Sequence, residues 1–149
     1  MKIGIMLRHL DQHGGGVLVY TQNLLREMLA LDTPHEFVLL YRNPDLMGTY
    51  ADGGRVRELV LGKAPNFMWD QWLVPQAEKK EKFDIIFNPK YSLPLAARCQ
   101  TVFVCHGLDW YVMPWTSKFM DRLNHGYSFP VIPKKLKPSS PFLTPPNST

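Results

Sequence analysis

Residues 1–31 read MKIGIMLRHLDQHGGGVLVYTQNLLREMLAL, and this stretch decides the fold. Residues 2–7 are a short, nearly continuous apolar run, the pattern of a strand covered on both faces. Residues 11–16, Asp-Gln-His-Gly-Gly-Gly, follow. Glycine tolerates left-handed turns and lets a ligand come close to the backbone. Val17, Tyr20, Leu24, Leu25, Met28 and Leu31 then recur at helical spacing, with Gln22, Asn23, Arg26 and Glu27 mostly between them. Strand, glycine loop and helix make the opening unit of a Rossmann-like βαβ fold. Such a loop presents free N–H groups and the positive end of a helix, so Gly14, Gly15 and Gly16 are candidates for a phosphate-facing site. The same loop also serves as a tight strand–helix connection that binds nothing.

Working outward, residues 32–35 form a turn and residues 36–41 (EFVLLY) a second buried strand. Residues 42–54 are polar and rich in turn formers, a loop with room for a short helical piece. Residues 56–61 (VRELVL) read as a third strand, partly alternating and therefore nearer a sheet edge. Residues 66–83 are helical, with Met68, Trp72 and Val74 apolar; Pro75 either kinks this helix or starts a second one. Residues 84–88 (DIIFN) give a fourth strand and residues 100–105 (QTVFVC) a fifth, followed directly by His106. Residues 110–115 are loop-like, and residues 116–124 read as a further helix capped by Thr116 or Ser117. Strands alternating with helices predict an α/β, doubly wound parallel sheet, whose ligands bind beyond the carboxyl ends of the strands. That edge gathers the glycine loop, Lys90 and His106.

With 149 residues the chain suits one core, and 45% hydrophobic with 20% charged residues is ordinary for a globular protein. No apolar run approaches the about 18 residues of a membrane span. Arg8, His9 and Asp11 interrupt the N-terminal apolar stretch too early for a signal peptide, which points to a cytoplasmic protein. Cys99 and Cys105 then read as reduced, partly buried thiols without zinc-site spacing.

The net charge of +4 is concentrated at one end. Residues 1–125 carry 14 Lys and Arg against 13 Asp and Glu, which excludes the broad basic field of a nucleic-acid binder. Residues 126–149 hold 6 of the 13 prolines and no amphipathic period. They read as an extended or disordered tail, separate from a domain at 1–125.

Five motifs in register carry a resemblance. Residues 2–5 (KIGI), residues 14–17 (GGGV) with Tyr20, Asn23 and Leu24, residues 83–86 (FDII), residues 92–94 (SLP) and residues 104–109 (VCHGLD) together resemble the N-terminal domain of family 4 retaining glycosyltransferases of two-Rossmann (GT-B) architecture. The similarity covers about residues 1–124. It implies transfer of a sugar from a nucleotide-sugar donor to a sugar or lipid-linked acceptor, with no obligatory metal or other cofactor. It implies that the loop Gly14, Gly15 and Gly16 contacts the donor diphosphate or lies beside the acceptor. It also implies that His106 hydrogen-bonds the transferred sugar near the reacting carbon, without acting as a general base. Many relatives have an acidic residue directly after that histidine; here Gly107 stands there, with Asp109 two residues on as a candidate substitute.

The family's Glu–seven residues–Glu motif, part of its donor-binding second domain, has no counterpart in this sequence. The proline-rich tail stands where relatives continue, so the expectation is a truncated or frame-altered product, inactive without a donor-binding domain supplied in trans. Lys90 is a candidate contact for an anionic acceptor or phosphate, although a lone loop lysine is usually just solvated. Trp69, Trp72, Trp110 and Trp115 either line an acceptor or lipid-facing surface or pack in the core or a domain interface.

Two rival functions stand beside this one. A non-catalytic binding or interaction remnant is the first. A nicotinamide-dependent oxidoreductase is the second, but Val19 occupies the third glycine position of G-x-G-x-x-G. Tyr41 and Arg42 rather than an acidic residue end the second strand, so Arg42 suits at best a 2′-phosphate. A metal-dependent single-domain transferase is disfavoured because no Asp-x-Asp occurs.

Overall fold

Five strands, β1 (Lys2–Met6), β2 (Glu36–Tyr41), β3 (Val56–Val60), β4 (Ile85–Asn88) and β5 (Gln100–Phe103), form one sheet ordered β3-β2-β1-β4-β5. Every neighbouring pair is parallel. The computed structural model describes residues 1–11, 14–50 and 54–107. The residue 116–124 helix, the tail, Asp109, Trp110 and Trp115 lie outside the described residues.

The doubly wound expectation holds, and the side-chain pattern explains it. Along β1 and β2 successive residues face opposite ways. Ile5, Leu7, Phe37, Leu39 and Tyr41 pack with Leu25 and Leu29 of helix α1 (Gly16–Ala30). Met6, Val38 and Leu40 pack on the other face with Trp69, Val74, Ala77 and Phe83. Each strand is therefore apolar at almost every position, which places β1 at the sheet centre and leaves β3 and β5 as edges.

The layer on that second face, expected to be helical over residues 66–83 with a kink or a new helix at Pro75, is broken just before that proline. It is built as a short α-helix, α2 (Asn66–Met68), a π-helical segment (Trp69–Leu73) and α-helix α3 (Val74–Glu81). The Val74 N–H donates to the Trp69 carbonyl, five residues back. Pro75 has no N–H to continue the α ladder, so the wider turn ends where the proline begins. Trp69 is fully buried, whereas Trp72 is 63% exposed and Met68 is 53% exposed.

β1 ends one residue and β5 two residues earlier than expected, although Leu7 N–H still donates to Leu40 O and Val104 N–H to Asn88 O. The Cys99 and Cys105 thiols are free; Cys99 is half-buried, but Cys105 lies past the end of β5 and is exposed rather than partly buried. Among the described residues no helix is long and apolar enough to cross a membrane.

Candidate functional site

The chain runs from β1 to β2 and β3 on one side of the sheet, then returns to place β4 and β5 on the other. The carboxyl ends of β1 and β4 thus border the crevice where strand order reverses, the usual ligand position in open α/β sheets. Arg8 and His9 arrive there from β1 in a 3-10 turn (Arg8–Asp11), and Asn88, Pro89 and Lys90 arrive from β4.

Arg8 and His9 are both buried. Arg8 Nε donates to Asp70 Oδ1 at 2.6 Å and Nη2 to Oδ2 at 2.8 Å. Asp70, fully buried, is delivered by the π-helical segment. The two charges are desolvated together and satisfy each other by paired hydrogen bonds, the geometry that makes a buried ion pair tolerable. Arg8 Nη2 also lies 3.5 Å from Ser92 Oγ. Asn88 Nδ2 donates to the Ser92 carbonyl and hydroxyl, each at 2.7 Å, and its Oδ1 accepts from the Lys90 N–H at 3.0 Å. Asn88 therefore closes the 88–92 loop on itself and fixes the backbone that carries Lys90. Gln71 clips the next stretch to the helix, donating to Leu93 O and accepting from Leu95 N–H. Burial lowers the Lys90 pKa, with the Arg8 charge adding to that effect and Asp70 opposing it.

His9 Nε2 lies 2.9 Å from Thr21 Oγ1, and the single Thr21 hydroxyl hydrogen is donated to Val17 O at 2.8 Å. A hydroxyl has one hydrogen, so a Thr21 that donates to Val17 O accepts from His9 Nε2, and that arrangement corresponds to the Nε2–H tautomer. Burial, followed by the positive charges of Lys90 and Arg8, lowers its pKa from 6.5 to about 3, and the ring is neutral at physiological pH. His106 Nε2–H donates to Pro89 O at 2.6 Å. Its ring meets Tyr20 edge-on, with centroids 4.8 Å apart and planes at 81°. That contact ties the segment beyond β5 to the second turn of α1.

The glycine loop enters α1 at Gly16. Gly14 (φ +84°) and Gly15 (φ +103°) both lie in the region that favours glycine, and a Cβ on either would meet nothing within 4 Å. The α1 N-terminus has no side-chain cap and no acidic residue in its first turn. Leu18 and Val19 donate to Gly15 O, so the N–H groups of Gly16 and Val17 have no acceptor inside the helix.

Of the residues singled out in the sequence, Gly14, Gly15, Gly16, Lys90 and His106 fall at this one edge. Asp109 lies outside the described residues. Arg8, His9, Asp70, Asn88 and Ser92 carry the crevice and were not legible as site residues. The available signal was the pair of basic side chains directly after a buried strand, where α/β sheets bind ligands.

Arg42 belongs elsewhere. Its Nε donates to Asp11 Oδ2 at 2.6 Å and its Nη1 to Asn66 Oδ1 at 2.9 Å, on a cleft of about 540 Å³ shared with Asn43, Lys63 and Ala64. A guanidinium so engaged is poorly placed to take a 2′-phosphate. Among the described residues no group of three or more His, Cys, Asp or Glu could hold a metal ion. No family model, no curated protein and no solved structure matches this chain.

Proposed function

We propose that this Rossmann-like lobe is the acceptor-side half of a retaining sugar transferase, working with a donor-binding domain. The observation that carries the reading is that three separate chain segments lie at one edge of the sheet: the α1 N-terminus with its open glycines, the Lys90 loop, and His106 packed on Tyr20. The resemblance of the sequence motifs supports it independently of that geometry.

In this reading the N–H groups of Gly16 and Val17 and the Lys90 ammonium face the donor diphosphate and stabilise the charge that develops on it as the sugar departs. His106, with Nε2–H spent on Pro89 O, offers Nδ1 to a sugar hydroxyl and positions rather than deprotonates. Asp70 is sealed against Arg8 and takes no part in proton transfer. Closure of the donor domain over the crevice excludes water and protects the activated sugar from hydrolysis.

The test is nucleoside diphosphate release from a panel of nucleotide-sugars by the full chain mixed with a donor-binding domain of a family 4 transferase. Release that needs both components and is lost in His106→Ala supports the reading. Release unchanged by His106→Ala contradicts it, as does no release with any donor. A non-catalytic binding lobe is the second reading, favoured by the burial of Asp70 and the loss of titration at His9. It predicts ligand binding at the same crevice without release.

A further inference from the structure

We propose that His9 is a ligand-binding residue whose Nδ1 lone pair accepts a hydrogen bond from a sugar hydroxyl, in a tautomer locked by Thr21. The lock is a chain of three groups: Val17 O takes the Thr21 hydroxyl hydrogen, and Thr21 Oγ1 therefore takes the His9 Nε2 hydrogen. Nδ1 is left as a pure acceptor. Among the described residues none donates to it, and it is not one of the side-chain atoms sealed from solvent without a partner, which are Asp11 Oδ1, His35 Nδ1 and Trp69 Nε1. The lone pair belongs to a residue that is 3% exposed, in the turn just past the end of β1, with Lys90 and His106 near enough to act on it electrostatically.

The surroundings determine what can bind. Lys90 and Arg8 bring positive charge toward the ring, so an incoming cation is repelled. A neutral O–H donor suits Nδ1, and a ligand that pairs such a hydroxyl with a neighbouring anionic group matches the site as a whole. His9 thereby acts as a fixed acceptor that neither gains nor loses a proton in the working pH range. Thr21 is the positioning residue behind it, fully buried on α1 one residue after Tyr20, which touches His106. The sugar as ligand rests on the transferase reading; the locked lone pair rests on the hydrogen bonds alone.

The experiment is long-range ¹H–¹⁵N NMR of the histidine rings in the full chain, titrated with the methyl glycosides of glucose, galactose and mannose. The free protein shows His9 with Nε2 protonated and Nδ1 bare from pH 8 to pH 5. At least one glycoside moves the Nδ1 resonance in the direction of an accepted hydrogen bond and leaves Nε2 in place. Thr21→Ser keeps this response. Thr21→Val mixes the tautomers and weakens glycoside binding about tenfold, the worth of one hydrogen bond. If Thr21→Val fails to fold, the wild-type titration decides. An Nδ1–H tautomer, an imidazolium at pH 5, or an Nδ1 unmoved by all three glycosides overturns the proposal. Failure of the transferase reading is seen separately, as an Nδ1 that responds to sugar in a protein that supports no nucleoside diphosphate release.

Discussion

Arg8 and Asp70, 62 residues apart in sequence, meet through two hydrogen bonds of 2.6 and 2.8 Å. The pair joins the end of the central strand to the π-helical segment across the crevice. Removing one partner would leave a desolvated charge, which costs about 3–5 kcal/mol, whereas replacing both with apolar residues of similar volume costs far less. Asp70→Asn is therefore expected to lower unfolding stability by several kcal/mol in urea titrations, with Arg8→Met/Asp70→Leu closer to wild type. A loss below about 1 kcal/mol for Asp70→Asn contradicts the pairing.

His9 makes stability depend on pH. Its pKa falls from 6.5 in the unfolded chain to about 3 in the folded protein, so the unfolded chain takes up the proton first on acidification. The resulting stability is complete above pH 6.5 and declines as pH falls toward 3. Between pH 7 and pH 5 the loss is about 2 kcal/mol. His9→Gln keeps an N–H donor for Thr21 and cannot titrate. Urea midpoints measured at the two pH values are expected to fall less in that variant than in wild type.

Gly4 faces the Phe83 ring so closely that a Cβ there would sit 2.8 Å from Cδ2 and 2.9 Å from Cε2. Phe83 is buried in the cluster with Met6, Val38 and Ile86 and has little room to retreat. Gly4→Ala is expected to cost about 1–3 kcal/mol, as overpacked cores do. The double variant Gly4→Ala/Phe83→Leu is expected to recover part of that loss in thermal unfolding.

How far the sequence could be read follows from the range of each interaction. The order strand, glycine loop, helix and the five strands were legible because period and apolar runs are local signals. The central position of β1 followed from its apolar residues on both faces. Trp69 and Trp72 show where this stops: residues three apart share one face of an α-helix, but the π-helical turn buries the first and exposes the second. Arg8 read as the end of an apolar run because its partner lies far along the chain, beyond any window of periodicity. His9 needed Thr21, and Thr21 needed Val17, before its tautomer had meaning.

Gly15 and Gly16 give a matched pair. Gly15 holds φ +103° and ψ 156°, a region essentially reserved for glycine, with open space around it. Gly15→Ala is expected to cost about 1–3 kcal/mol through the backbone alone. Gly16 begins α1 with no positive φ and no neighbour within 4 Å of an added Cβ, so Gly16→Ala is expected to be neutral or stabilising by up to about 1 kcal/mol. Calorimetric melting of both variants checks the contrast.

The most direct measurement of the central claim, that the crevice between β1 and β4 is the anion and sugar site, is backbone amide shift mapping of the full chain titrated with inorganic pyrophosphate. The account predicts the largest changes at residues 14–17, at Lys90 and at His106. Changes confined to the cleft of Arg42 and Lys63, with the glycine loop silent, would contradict it.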